Sequence, residues 1–203
     1  MQKTYGAALR ITVDDMMKKL FLWFYCLPIR DALLLVLAAA AVFLLLRKLA
    51  GHTPWWKAGC CVLFAACLGV ILYGTLGQRG EGSNGGLPIL MPFASYYAAT
   101  HGGSPELYRA NFMNAVLFFP AGLLGCEILP RRWRHRKKAV LVMAVLALLS
   151  MGIEYAQFRF GLGLAETDDV IHNTLGALLG GLAVLVPPLL SRLPDGLLPA
   201  DMH

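Results

Sequence analysis

Charge is what this chain has least of. Of its 203 residues only 15% are Asp, Glu, Lys or Arg and 58% are hydrophobic, where a soluble globular domain is near half apolar and a quarter charged. A mean hydropathy of +0.61 is more than one core in water can hide, so the implied solvent is lipid. Cysteine is sparse and unpaired. Cys26, Cys60, Cys61, Cys67 and Cys126 make no CxxC motif and sit in apolar surroundings, the pattern of small hydrophobes rather than of a disulfide frame or a zinc site. There is no GxSxG elbow, no HExxH pair and no phosphate-cradling glycine loop, which removes the usual support for hydrolase, zincin, nucleotide and cofactor readings. No repeat of solenoid length is visible. The N-terminus does not read as a cleavable signal, because the first long apolar run starts near Ala32, after several charges, and ends at "RKLAGH" without a small-x-small site.

The charge that is present is mostly positive, with 18 Lys and Arg against 12 Asp and Glu. Six of those cations lie in "RRWRHRKK" (131–138), between two apolar runs. That is the signature of a cytoplasmic loop rather than of a nucleic-acid surface, which would interleave cations with aromatics along a face. Five segments are long enough, or nearly so, to cross about 30 Å of hydrocarbon at about 1.5 Å per residue. They are 32–49, 58–76, 110–129, 139–158 and 170–190. The expected organisation is an all-α, polytopic membrane protein of about five transmembrane helices. Residues 1–30 form an N-terminal interfacial segment, 31–50 an extra helix, 57–190 the main membrane domain and 191–203 a tail. With loop 130–138 cytoplasmic, alternation puts Arg47, Lys48 and Lys57 on the same side and loops 77–109 and 159–169 outside. The N-terminus is a misfit, since five crossings place it outside although it carries Lys3, Arg10, Lys18, Lys19 and Arg30.

Polar residues gather at one depth of this topology. Glu154 and Gln157 fall in the last turns of the fourth span, Asp168, Asp169, His172 and Asn173 at the start of the fifth, and Asn111 and Asn114 at the start of the third. Asn114, Glu154 and Asn173 each lie about 5–7 Å below the outer end of their span at helical rise. Ionisable groups at membrane depth are costly and mark function by default. Glu154 and Gln157 share a face as i, i+3 neighbours, and hydrogen bonds from Gln157 and Asn173 to an ionised Glu154 are expected. The competing structural readings are that Glu154 only helps helices associate, and that Asp168 or Asp169 caps its own helix against the positive dipole end. Asp168, His172 and Glu154 also make a weak metal-ligand pattern that lacks an evident further ligand. His101 and His135 read as solvated loop residues. Gly176 and Gly180 have the small-xxx-small spacing of closely approaching helices, and Pro120 interrupts the third span. "GLPILMPFASYY" (86–97) is apolar but too short to span, and reads as an interfacial or re-entrant lid over the same site.

Two stretches, "NAVLFFPAGLLG" and "IEYAQ…ETDDVIHNTLGALLG", resemble the VanZ-like family of bacterial membrane proteins over roughly 57–190. The match falls on Asn114, Pro120, Gly122, Glu154, Gln157, Asp169, Asn173, Gly176 and Gly180, and on Pro92 and Phe93 in the loop. Many members carry an arginine six residues after the glutamine; here that position is Gly163, and Arg159 lies nearer. The resemblance implies a place in the bacterial plasma membrane and a link to low-level resistance to teicoplanin, a glycopeptide acting outside the membrane. Three functions compete. One is a non-enzymatic envelope protein whose outer polar site binds a membrane lipid, a lipid-linked cell-wall precursor or the tail of the glycopeptide. Another is an intramembrane enzyme with Glu154 as catalytic acid/base, helped by Asp169 or His172. The last is a small proton-coupled transporter with Glu154 as relay. No nucleophile or metal accompanies Glu154, and the inner halves of the spans read as almost purely apolar, so the binding protein is the preferred expectation.

Overall fold

Each long apolar run is punctuated where helices are expected to stop and start. Pro28 precedes one helix and Pro54 opens the next, positions where a proline's missing N–H costs nothing. The computed structural model describes residues 13–77, 87–102, 104 and 106–184. In chain order they form α1 (Val13–Cys26), α2 (Ile29–Ala50), α3 (Pro54–Leu72) running into a π-helical turn (Tyr73–Gly77), α4 (Ala94–His101), α5 (Glu106–Ile128), α6 (His135–Phe160) and α7 (Thr167–Ala183). The fold is all-helical; among the described residues the one β-type pairing is a parallel bridge between Ile89 and Glu166. Among the described residues four helices are long and apolar enough to cross a membrane: α2, α3 with its π-helical extension, α5 and α6. The protein is therefore a polytopic membrane protein. The fifth expected span, 170–190, overlaps α7 up to Ala183, and its residues 185–190 lie outside the described residues, as do 1–12, 78–86 and the 191–203 tail.

The centre of the bundle is a backbone-to-backbone contact between α5 and α7. A methyl group placed on Gly176 would lie 2.0 Å from the carbonyl oxygen of Ala115, and one on Gly180 2.0 Å from that of Phe119. From the other side, one on Gly122 would lie 2.1 Å from the carbonyl oxygen of Ala177. Only glycine permits this approach, and close packing of this kind replaces the hydrophobic drive that lipid does not supply. Around the seam, Phe118, Leu123, Leu146, Ile153 and Ala177 make a buried apolar layer. Pro120 sits inside α5, which continues past it to Ile128.

Two expectations are corrected by the packing. The far halves of the helices are not purely apolar: Glu127 of α5 pairs with Arg47 of α2 (Nε–Oε1 2.8 Å) and accepts from Trp56 Nε1–H of α3 (3.3 Å). Arg47 also donates to the Val184 carbonyl at 3.1 Å. His135 is not a solvated loop residue. It opens α6 with its Nδ1 buried, beside Lys138, itself buried and donating toward the Leu129 carbonyl at 3.4 Å. Four of these groups (Arg47, Glu127, Trp56 and Lys138) tie α2, α3, α5 and α6 together at the end carrying the basic loop.

Candidate functional site

At the opposite end, the loop and short helix over 87–102 lie across α5 and α7. Ile89 joins the segment ahead of α7 by two backbone bonds, Ile89 N–H to the Ala165 carbonyl (2.9 Å) and Thr167 N–H to the Ile89 carbonyl (3.0 Å). Asp168 then fastens α4. Its carboxylate accepts from Phe93 N–H, from Ser95 N–H (2.8 Å) and from the Ser95 hydroxyl, which in turn accepts from Asn111 Nδ2 (2.8 Å). The expectation that Asp168 caps its own helix is thus corrected: α7 has no side-chain cap, and Asp168 caps α4. The reason is geometric. Buried backbone donors at the start of α4 face the carboxylate, and an anion there meets both free N–H groups and the positive dipole end. It also supports an uncommon conformation, because Phe93 is left-handed (φ 62°, ψ 19°), a region that costs a residue with a side chain roughly 1–2 kcal/mol.

The latch sets the charge state of Asp168, which lies ahead of the apolar span beginning at 170. Burial pushes its carboxyl up, but the bonds from the Ser95 hydroxyl, Ser95 N–H and Phe93 N–H, with His172 nearby, outweigh burial and hold it below its ordinary value. His172 is buried against the lid. Its Nδ1 lies 2.6 Å from the Asp168 carbonyl oxygen, a pure acceptor, so the proton sits on Nδ1. Nε2 is then free to accept from the Tyr96 hydroxyl at 2.8 Å, and the two rings stack.

Beneath the latch lie two further sets of contacts. Asn114 donates to Asp169 Oδ1 (2.7 Å), and the Tyr25 hydroxyl donates weakly to Asn114 Oδ1 at 3.5 Å. On α6, Ser150, Glu154 and Gln157 follow at i, i+4 and i+7, one stripe facing α7. Glu154 Oε2 accepts from Glu166 N–H (2.9 Å), Asn173 Nδ2 meets Ser150 Oγ (2.9 Å), and Gln157 Nε2 donates to the Thr75 carbonyl in the π-helical turn (2.9 Å). Gln157 and Asn173 therefore bond Thr75 and Ser150, not Glu154 as expected. Each keeps a buried oxygen, Gln157 Oε1 and Asn173 Oδ1, with no partner, in residues only 1% and 3% exposed. The Gln157 amide cannot be turned round, because two carbonyl oxygens would then meet at Thr75. Whichever way the Asn173 amide is turned, Ser150 satisfies one end of it only.

Asn114, Glu154 and Asn173 lie about 9–12 Å from the ends of their helices at helical rise, because α5, α6 and α7 all begin or end outside the apolar runs. Arg159 is exposed, 5.9 Å from the Phe160 ring. Among the described residues no group of three or more His, Cys, Asp and Glu is placed to hold a metal ion. Ser95, Thr75, Ser150, Tyr25 and Tyr96 were not singled out by sequence. Ser150 had a signal, four residues before Glu154 on the same face, and so did Thr75, a polar residue between glycines at the end of an apolar run. Tyr25 had none. The site holds buried polar atoms without partners, at the end of the bundle that α4 covers. Among curated proteins and solved structures nothing matches the chain at a significant level. The family model VanZ/LLP1 matches residues 61–189, which takes in the lid, the glycine seam and every side chain of the cluster except Tyr25. The chain belongs to the VanZ/LLP1 family.

Proposed function

We propose that this protein is a binding protein of the bacterial plasma membrane, and that its cluster beneath α4 takes the hydrogen-bond-donating head of a lipid, a lipid-linked cell-wall precursor or a lipid-tailed glycopeptide. The observation that supports this is the buried acceptor without a donor at Gln157 Oε1, together with the unpaired end of the buried Asn173 amide. A buried acceptor left unmade costs about 1–3 kcal/mol, so hydroxyl, ammonium or amide N–H groups entering here gain bonds without displacing any. The lid fits an interfacial position, since Leu87, Leu90, Met91, Phe93 and Tyr97 all turn apolar surface outward. That the cations of 131–138 sit at the other end of the bundle supports an outer-face position for the cluster by the positive-inside rule.

The test is mass spectrometry of lipids that copurify with wild type, Gln157→Leu and Glu154→Ala. A species held by wild type and lost in both variants is expected; identical lipid profiles would remove the reading. In a susceptible Gram-positive host, overexpression is expected to raise the inhibitory concentration of teicoplanin more than that of vancomycin, which lacks a fatty tail. Asp169→Asn and Asn173→Ala are expected to weaken that effect at unchanged protein level. Equal protection by wild type and both variants would detach the cluster from resistance.

A further inference from the structure

Between α2, α3 and α5 lies a groove of about 490 Å³, walled by Val36 and Ala40 of α2, Cys67 of α3, Val116 and Pro120 of α5, and Phe24 at the end of α1. It is not a failure of packing. Of α2 only Ala32 is buried, yet α2 is pinned at both ends. Arg47 holds Glu127 and the Val184 carbonyl at one end, with Phe43 against Trp56 (ring centroids 5.3 Å). At the other, α1 is locked to the π-helical turn by Phe21, which lies over Gly74 where a methyl group would meet its ring at 2.1 Å. The ties hold a gap open between helices of membrane length.

We infer that this groove binds one acyl chain of a membrane lipid, its head directed to the Tyr25–Asn114–Asp169 chain. The lining is apolar throughout, so water finds no partners there, while an empty space of this size would forfeit the contacts of its whole lining. Along α5 the groove runs from Val116 to Leu124, about 12 Å at helical rise. Its upper end is Val116, two residues from Asn114, and Phe24, next to Tyr25, whose hydroxyl reaches Asn114. An amphiphile lying along α5 would cross from polar to apolar walls within one turn. The inference rests on the binding reading above only for where the head lies.

The full chain, reconstituted into phosphatidylglycerol vesicles carrying a photoactivatable diazirine in mid-chain, is irradiated and its adducts are mapped by peptide mass spectrometry. Adducts are expected to concentrate on groove residues over the outward Leu34 and Leu37 of α2. They are expected to be lost from the groove in Ala40→Phe and in Ala66→Phe, which fill it from opposite walls. Labelling as dense on the outward faces as in the groove would overturn the inference. So would a pattern unchanged in both filled variants, or a wild-type groove closed by a second copy cross-linked through Cys67. Gln157→Leu separates the two readings: groove adducts that persist there, with the copurifying species gone, keep head and tail sites distinct. If the species survives in Gln157→Leu while groove adducts are present, the tail site stands without the proposed head site.

Discussion

One carboxylate, that of Asp168, holds two N–H groups and a hydroxyl of the lid, so the lid should answer to a single residue. Asp168→Ala leaves the Phe93 and Ser95 N–H groups unpaired and removes the support for a left-handed Phe93, and α4 is expected to lift. A cysteine at the buried Ala99 position in a cysteine-free background should then react with a thiol reagent, while the same cysteine behind an intact Asp168 should not. The same bond set gives a pH dependence. The folded carboxyl is held below its ordinary value of 3.8, so the latch contributes its full stability above that value and loses it as pH falls through the lowered pKa. Amide exchange over 93–99, corrected for intrinsic rates, should stay slow at neutral pH and accelerate only in acid below that ordinary value. Acceleration already at pH values well above it would mean that a group other than Asp168 is the latch. Glu154 stands apart from this set. Glu154→Gln keeps shape and bonding capacity without charge, and is expected to insert normally but lose the copurifying lipid. Retention of that lipid would reduce Glu154 to a packing residue.

Among whole elements, the α5–α7 seam and the Arg47–Glu127 tie carry the bundle in different ways. Gly176→Ala and Gly180→Ala each drive a methyl into a main-chain carbonyl at 2.0 Å, which no rotamer can relieve, so the helices must separate. Losses of roughly 2–3 kcal/mol, at the upper end of overpacking costs, are expected in thermal or denaturant unfolding in detergent. Gly152→Ala on α6 is the control, because nothing lies within 4 Å of its added methyl, and better helix propensity should raise stability by up to about 1 kcal/mol. Equal losses at Gly152 and Gly176 would show that the seam is not what limits stability. Glu127→Ala strands a guanidinium that is only 21% exposed. Breaking a pair this deep costs a few kcal/mol, discounted here for partial exposure to about 2 kcal/mol, and α2 should loosen from α5 while the α5–α7 seam stays intact. The glycine stripe was legible in sequence because its spacing lies on one helix. The tie was not, because Glu127 sits at the end of an apolar run and its partner Arg47 comes eighty residues earlier, on a helix with no other reason to pack there.

For the molecule as a whole, what sequence made legible was whatever is periodic or one-dimensional: the apolar runs, the end that holds the polar residues, and the lid. What it left hidden was pairing. Asp168 reads as a cap for α7 until α4 is seen over it, and Gln157 reads as a partner for Glu154 until the π-helical turn brings the Thr75 carbonyl to it. The same distinction bears on the misplaced positive charge of the first thirty residues. Tyr25 reaches Asn114 and Phe21 covers Gly74, so the end of α1 sits at the lid end of the bundle and α2 runs from there to the basic-loop end. Lys18, Lys19 and Arg30 therefore belong to the lid end and Arg131, Arg132, Arg134, Arg136 and Lys137 to the other, so the charge rule cannot hold for both sets. Loop charge between long spans is expected to be the stronger determinant, since α1, at 14 residues, is too short to cross. Single cysteines at Arg30, Ser104 and Gly163, in a cysteine-free background, are accordingly expected to react with an impermeant thiol reagent on whole cells, and one at Arg134 to react only after lysis. Labelling of Arg134 with protection of the other three would invert the protein and put the polar cluster against the cytoplasm, where neither a cell-wall precursor after export nor an external glycopeptide could reach it. Protection of Arg30 alone would mean that α1 and α2 leave the bundle's lid end in the cell, and the acyl groove, which needs Phe24 and Val36 beside Val116, would have to be given up with them.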